Sequence, residues 1–185
     1  MRRPFSILAA IFAAAMVPAG PAFADQTDPR LDLLFEELRT GEAAKSEENV
    51  ARILEIWADA ASDTVDVLYD RAEIAVAADN ENLAIALLDH VVGLAPNFAQ
   101  GYALRGAVRL SDDDRAGAIE DFSKVLELEP RQFEVRTALA NILLAAGEKR
   151  DAYDMFQKVL EWNPHNDSVR RRARALRREL DGQEI

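Results

Sequence analysis

From residue 65 to residue 166 the apolar positions recur at the three- and four-residue spacing of amphipathic helices. Short polar stretches interrupt them: Ala78-Asp79-Asn80-Glu81, Ser111-Asp112-Asp113-Asp114 and Ala146-Gly147-Glu148-Lys149. These read as turns between helices. No segment alternates apolar and polar with period two for long enough to suggest a strand, so an all-α fold is expected.

The pattern repeats. Pro96, Pro130 and Pro164 stand 34 residues apart, each at the end of an apolar run. In the same frame lie three sets of small residues and large ones. Ala72, Gly106 and Ala140 fall on the first helix of each pair, and Ala84, Ala118 and Ala152 on the second. Leu88, Phe122 and Phe156 follow one turn after the second small column, with Val91, Val125 and Val159 beyond them. Small residues let two helix backbones approach, and bulky neighbours fill the space between pairs. Proline closes each second helix by pushing the preceding residue out of the α region.

A 34-residue period with small-x11-small-x3-Phe-x7-Pro spacing resembles the tetratricopeptide repeat. Tyr102, Gly106, Ala118, Phe122 and Pro130 carry the likeness in the middle copy, Ala152, Phe156 and Pro164 in the last, and Ala84 and Pro96 in the first. Arg71, Arg105 and Arg109 depart from it, standing where leucine or an aromatic is common in that family. The resemblance implies a solenoid of antiparallel helix pairs, a tetratricopeptide-type α-α superhelix. Its three repeats would span 65–98, 99–132 and 133–166.

The frame extends at both ends. Residues 25–64 read as a degenerate N-terminal helical hairpin, with Leu31, Leu34 and Leu38 on one helix and Val50, Leu54 and Trp57 on the other. Gly41 shortens the first helix, and Ser62 replaces the terminal proline. An atypical terminal repeat is expected to cap a solenoid. At the other end, within 167–185, Asn166-Asp167-Ser168 can start a last helix. Val169, Ala173, Leu176 and Leu180 form one apolar stripe along it, which makes it a C-terminal capping helix and brings the expected total to about nine helices.

The first 24 residues have a different character. Arg2 and Arg3 precede a 13-residue apolar run, Phe5–Val17, then Pro18, Gly20 and Pro21, then Ala22-Phe23-Ala24. That order is a secretory signal peptide with cleavage expected after Ala24. The run is short of the roughly 20 residues a membrane anchor needs, so no stable membrane insertion is expected after cleavage. The arginine pair resembles part of a twin-arginine signal, but Met1, Ser6 and Ile7 depart from it, so general secretion fits better. A bacterial periplasm is the expected location.

The chain has no cysteine, so disulfides, thiolate metal sites and cysteine catalysis are excluded. Its formal net charge of −11 would repel nucleic acid and anionic membranes. Asp112-Asp113-Asp114 with Gly117 has the look of a calcium loop, but Ala116 and Ser123 stand where an EF-hand needs oxygen donors and a glutamate. His90 and His165 lack metal-ligand spacing and any catalytic motif. No cofactor, metal or enzymatic activity is expected.

Partner binding is the expected role, and the resemblance supplies its positions. The first helices of such repeats line a concave groove, here with Asp66, Tyr69, Glu73, Gln100, Ala103, Glu134, Thr137 and Asn141. The Lys, Asn and Arg that grip a peptide carboxylate in some family members are replaced by Tyr69, Glu73, Gln100, Leu104, Glu134 and Ala138. A peptide or helix with apolar anchors and some basic residues suits what remains. The second candidate surface is the basic patch of Arg170, Arg171, Arg174, Arg177 and Arg178, which could dock on an envelope complex or simply form the solvated face of a last helix. The resemblance also implies an ion pair between Arg105 and Asp121. Oligomeric state is left open by the sequence.

Overall fold

The computed structural model describes residues 26–60 and 62–182. The expected signal peptide and its expected cleavage site lie outside the described residues. Nine α-helices run in order among those described: α1 Arg30–Thr40, α2 Ser46–Ala58, α3 Asp63–Ala77, α4 Glu81–Leu94, α5 Ala99–Ser111, α6 Arg115–Leu128, α7 Phe133–Ala145, α8 Lys149–Trp162 and α9 Asp167–Asp181. A single 3₁₀ turn, Ala43–Lys45, joins α1 to α2. No described helix is long and apolar enough to cross a membrane.

The repeat is written into the backbone as well as the side chains. Asp79, Asp113 and Gly147, again 34 residues apart, take φ of 52°, 62° and 86°. The left-handed conformation lets the next amide fold back onto the helix just ended. Asn80, Asp114 and Glu148 therefore donate to the carbonyls of Ala75, Arg109 and Leu143 at 2.9, 2.8 and 2.9 Å. Asn80 and Asp114 then cap the following helix, accepting from the amides of Leu83 and Gly117. The Asp112–Asp114 run is thus a turn and a helix cap. The opposite turns recur in the same way, with Ala95, Glu129 and Asn163 donating to Val91, Val125 and Val159.

Packing follows the small-residue columns. Ala72, Ala84, Ala118, Ala140 and Ala152 are fully buried. A Cβ on Gly106 would lie 2.7 Å from the Phe122 ring, so glycine there sets how closely α5 and α6 approach. Each first helix also packs on the second helix of the preceding pair: α5 on α4, α7 on α6 and α9 on α8. Val169, Ala173 and Leu176 are buried by α9's docking, as the apolar stripe predicts.

The N-terminal hairpin departs from expectation. The frame extended backwards places α1–α2 ahead of α3–α4 as the terminal pair. In the structure it lies instead along the inter-repeat turns, in contact with α8 and α5. Phe35 and Trp57 pack on Phe133 at ring separations of 6.4 and 5.6 Å, and Phe35 meets Trp162 at 5.7 Å. Arg131 sits 4.6 Å over the Phe35 ring, bonds Asp32 at 2.7 Å and forks onto buried Glu129. Gln26 reaches the Asn97 carbonyl, His165 the Gly41 carbonyl, and Ser46 the Asn163 amide oxygen.

The reason is steric. Where α5 packs on α4, Gly101 receives Val91, and a Cβ on Gly101 would stand 2.8 Å from Val91 Cγ1. The same frame positions on α3 and α2 are Val67 and Trp57. An indole against a valine cannot occupy the space of a valine against a glycine. The hairpin's aromatic side chains are buried on the turn edge instead.

Candidate functional groove

The inner faces of α3, α5 and α7 line an open cavity of about 290 Å³, with Phe122 of α6 also in its wall. Tyr69, Gln100, Ala103, Leu104, Ala107, Gln132, Glu134, Val135 and Ala138 form the rest of its wall. Small residues on α5 and α7 make the hollow: an alanine leaves unfilled the space a longer side chain would take. The lining is mainly apolar, with a few polar groups at its margin.

The eight groove residues divide. Tyr69, Gln100, Ala103 and Glu134 come together in the cavity. Tyr69 is part of its floor, buried and edge-on to Phe98 at 5.3 Å, and burial pushes its phenol well above the usual range. Glu134 opens to solvent at its surface, yet the groove walls crowd its carboxyl and desolvation holds it above the ordinary carboxylate range. Glu73 is exposed, with its carboxyl raised first by desolvation and then by nearby Asp70.

The remaining three are engaged in the fold. Asp66 accepts the Ala60 amide at 3.0 Å and fixes the entry to α3. The Thr137 hydroxyl donates to the Phe133 carbonyl one turn back at 2.8 Å. Asn141 accepts from Arg172 of α9, so that arginine extends the inner face toward the C-terminal end.

Gln132 was not among the expected groove residues. It is almost fully buried, accepts the amides of Glu134 and Val135, and donates to Gln100 at 3.3 Å. It therefore fixes both the start of α7 and the position of Gln100. The signal available was its frame position, shared with the helix-capping Asn166.

Behind the groove, Asp121 is buried and binds two arginines. Arg105 meets it at 2.6 and 3.0 Å, Arg109 at 3.0 Å, and Arg105 also bonds Asp89 at 2.8 Å. The expected Arg105–Asp121 pair is present, and Arg109, a departure from the family pattern, completes it. Hydrogen bonding to Asp121 holds the Arg105 guanidinium above its ordinary range. This cluster ties α4, α5 and α6 into one rigid wall.

The basic patch also divides. Arg170 pairs with Asp167 and Arg177 with Asp181 at 3.7 Å. Arg171, Arg174 and Arg178 are exposed at successive turns of α9 and make no ion pair among the described residues.

Residues 109–178 match the tetratricopeptide repeat family model. No curated protein matches the chain in sequence. Among solved structures, the first tetratricopeptide domain of Spaghetti (RPAP3), bound to HSP90 peptide SRMEEVD, aligns with a TM-score of 0.58 at 16% identity over 63% of this chain and 95% of that one. The Sgt2 tetratricopeptide domain from Aspergillus fumigatus aligns at 0.58 and 18% identity, covering 66% of this chain and 83% of that one. MamA aligns at 0.59 and 16% identity over 79% and 83%. The fold is therefore an all-α, tetratricopeptide-type superhelix.

Proposed function

We propose that the chain is a non-catalytic scaffold of the bacterial periplasm, exported by its first 24 residues, whose groove holds a segment of a partner protein. Tetratricopeptide-type folds suit protein–protein interaction, and the groove here lies on the inner faces of the first helices. The observation that carries the reading is the cavity between α3, α5 and α7. At about 290 Å³ it is at or below the small end of ligand pockets, roughly 300–1,000 Å³, so it fits the anchoring side chain of a peptide better than a whole small molecule. Glu134 and Glu73 favour a basic residue beside that anchor. The ligand would be an extended or helical segment with an apolar anchor and a neighbouring Lys or Arg.

Selection from a displayed peptide library tests this. The expected winners share that pattern and lose at least tenfold in affinity when Ala107→Phe fills the groove. Winners that bind the filled variant equally well would refute groove recognition. Mass analysis of the protein from a periplasmic extract checks export: a chain starting at Asp25 is expected, and a soluble cytoplasmic protein retaining residues 1–24 would contradict it.

A second reading rests on the unpaired stripe of Arg171, Arg174 and Arg178. In that reading the chain is an accessory subunit docking through α9 onto an acidic face of an envelope complex. Salt-sensitive binding lost on neutralising those three arginines, with Ala107→Phe silent, distinguishes it.

A further inference from the structure

The face of α3 that the hairpin leaves uncovered repeats positions that the later first helices use for stacking. Gly101, Arg105 and Val108 are the positions through which α5 packs on α4, and Val108 is 3% exposed. Their frame equivalents on α9, Val169, Ala173 and Leu176, are buried on α8. On α3 the same positions are Val67, Arg71 and Ile74. Val67 is 50% exposed, Ile74 is 68% exposed, and Arg71 is exposed with no ion pair among the described residues. A stacking surface is present without its helix.

The neighbouring layer shows what would cover it. α4 presents apolar Val91 and Val92 to α5 at Gly101, together with Asp89, whose carboxylate takes the Arg105 guanidinium at 2.8 Å. Arg71 occupies the place of Arg105, so a covering helix needs an acidic residue in the place of Asp89. Val67 occupies the place of Gly101, so that helix needs a small residue where α4 has Val91. The chain's own α2 meets the first requirement with Glu55 and fails the second with Trp57. We propose that the Val67–Arg71–Ile74 face of α3 docks an amphipathic helix of a partner protein that carries a carboxylate for Arg71 and an alanine or glycine against Val67, extending the superhelix by one layer.

The probe is a lactam-bridged helical peptide with the sequence of residues 81–95, altered by Val91→Ala and Val92→Ala. Its fluorescence anisotropy is followed on titration with the full chain. Saturable binding is expected, weakened at least tenfold by either Ile74→Asp or Arg71→Glu. Both positions are exposed, and circular dichroism verifies that each variant is folded. A peptide whose aspartate is changed to lysine should recover at least threefold of the affinity lost by Arg71→Glu.

No saturable binding, or binding indifferent to both variants, overturns the proposal. So does sedimentation showing a dimer that Ile74→Asp dissolves, because a second copy would then cover the face. The cysteine-free chain allows a further control: near-complete intramolecular disulfide formation in a Glu55→Cys/Arg71→Cys variant would show the chain's own hairpin there, and would equally overturn it. Groove variants such as Ala107→Phe leave this binding unchanged, so failure here is separable from failure of the groove reading.

Discussion

The α5–α6 hairpin and the α1–α2 hairpin solve the same burial problem in opposite ways. In α5–α6 the close approach is at Gly106, against Phe122 and Asp121 of α6, and the buried Asp121 is satisfied by Arg105 and Arg109. In α1–α2 the buried surface is aromatic and long-chain aliphatic: Phe35, Trp57, Leu31, Leu34 and Leu38. Small residues make a helix pair stackable, because a neighbour can approach in one defined geometry. Large ones make it adhesive but unstackable, so it binds where an aromatic surface already exists, at Phe133 and Trp162. Hydrophobic periodicity alone does not distinguish the two. The size of the residue at each frame position does.

The two hairpins differ most at the aromatic contact. Trp57→Ala should cost about 3–5 kcal/mol, the usual range for deleting a buried aromatic. Amide exchange should show the loss concentrated in residues 30–58, with α5–α8 still protected. Equal loss of protection throughout would mean that the hairpin is integral to the array.

Asp121→Ala should be nearly as damaging, at about 3 kcal/mol, because it leaves two partly buried guanidinium groups without their shared carboxylate. Chemical denaturation measures it, and the Arg109→Ala variant should show a smaller loss because Arg105 still pairs with Asp121. Gly106→Ala follows, at about 1–3 kcal/mol, since its Cβ meets the Phe122 ring at 2.7 Å and the α5–α6 approach must widen. At Gly93, where a Cβ meets nothing within 4 Å, the same change should be neutral or mildly stabilising.

The smallest effect concerns Glu134. Its folded-state pKa is raised from 4.5, so the folded chain holds that proton more tightly than the unfolded one. Its contribution to stability therefore falls as pH rises through 4.5 to the raised value, and the penalty is complete above it. Glu134→Gln should remove this component, leaving the variant slightly more stable than the parent at pH 7 and no more stable at pH 4. Thermal unfolding across that window checks the sign. The opposite trend would mean that the groove stabilises the carboxylate.

The repeat region was legible because one constraint recurs three times. Pro96, Pro130 and Pro164 fixed the frame, and the small columns then located every helix of α3–α8. Capping of α9 followed from Val169, Ala173 and Leu176. The hairpin's location was not legible, because the apolar spacing of Leu31–Trp57 is compatible with stacking and with edge docking alike. Only the collision of Trp57 with Val67, visible once Gly101 and Val91 define the layer geometry, separates them. Of the expected groove residues, Tyr69, Gln100, Ala103 and Glu134 come together in one cavity. Asp66 and Thr137 bond backbone groups near the helix starts, as polar side chains there commonly do, and their spacing in the sequence does not reveal it. The place of Gln132 in the groove was not legible because its long-range partner, Gln100, lies a whole repeat away in the sequence.

The position of α1–α2 on the turn edge, which leaves the Val67–Ile74 face of α3 open, is measurable directly. The chain has two tryptophans, so the Trp57 indole can be assigned by comparison with a Trp162→Phe variant. Nuclear Overhauser spectra should show cross-peaks from the Trp57 ring to Phe133, whose ring centre lies 5.6 Å away, and to Phe35 at 5.8 Å. Cross-peaks from Trp57 to the methyl groups of Val67 and Ile74, with none to Phe133, would contradict the account.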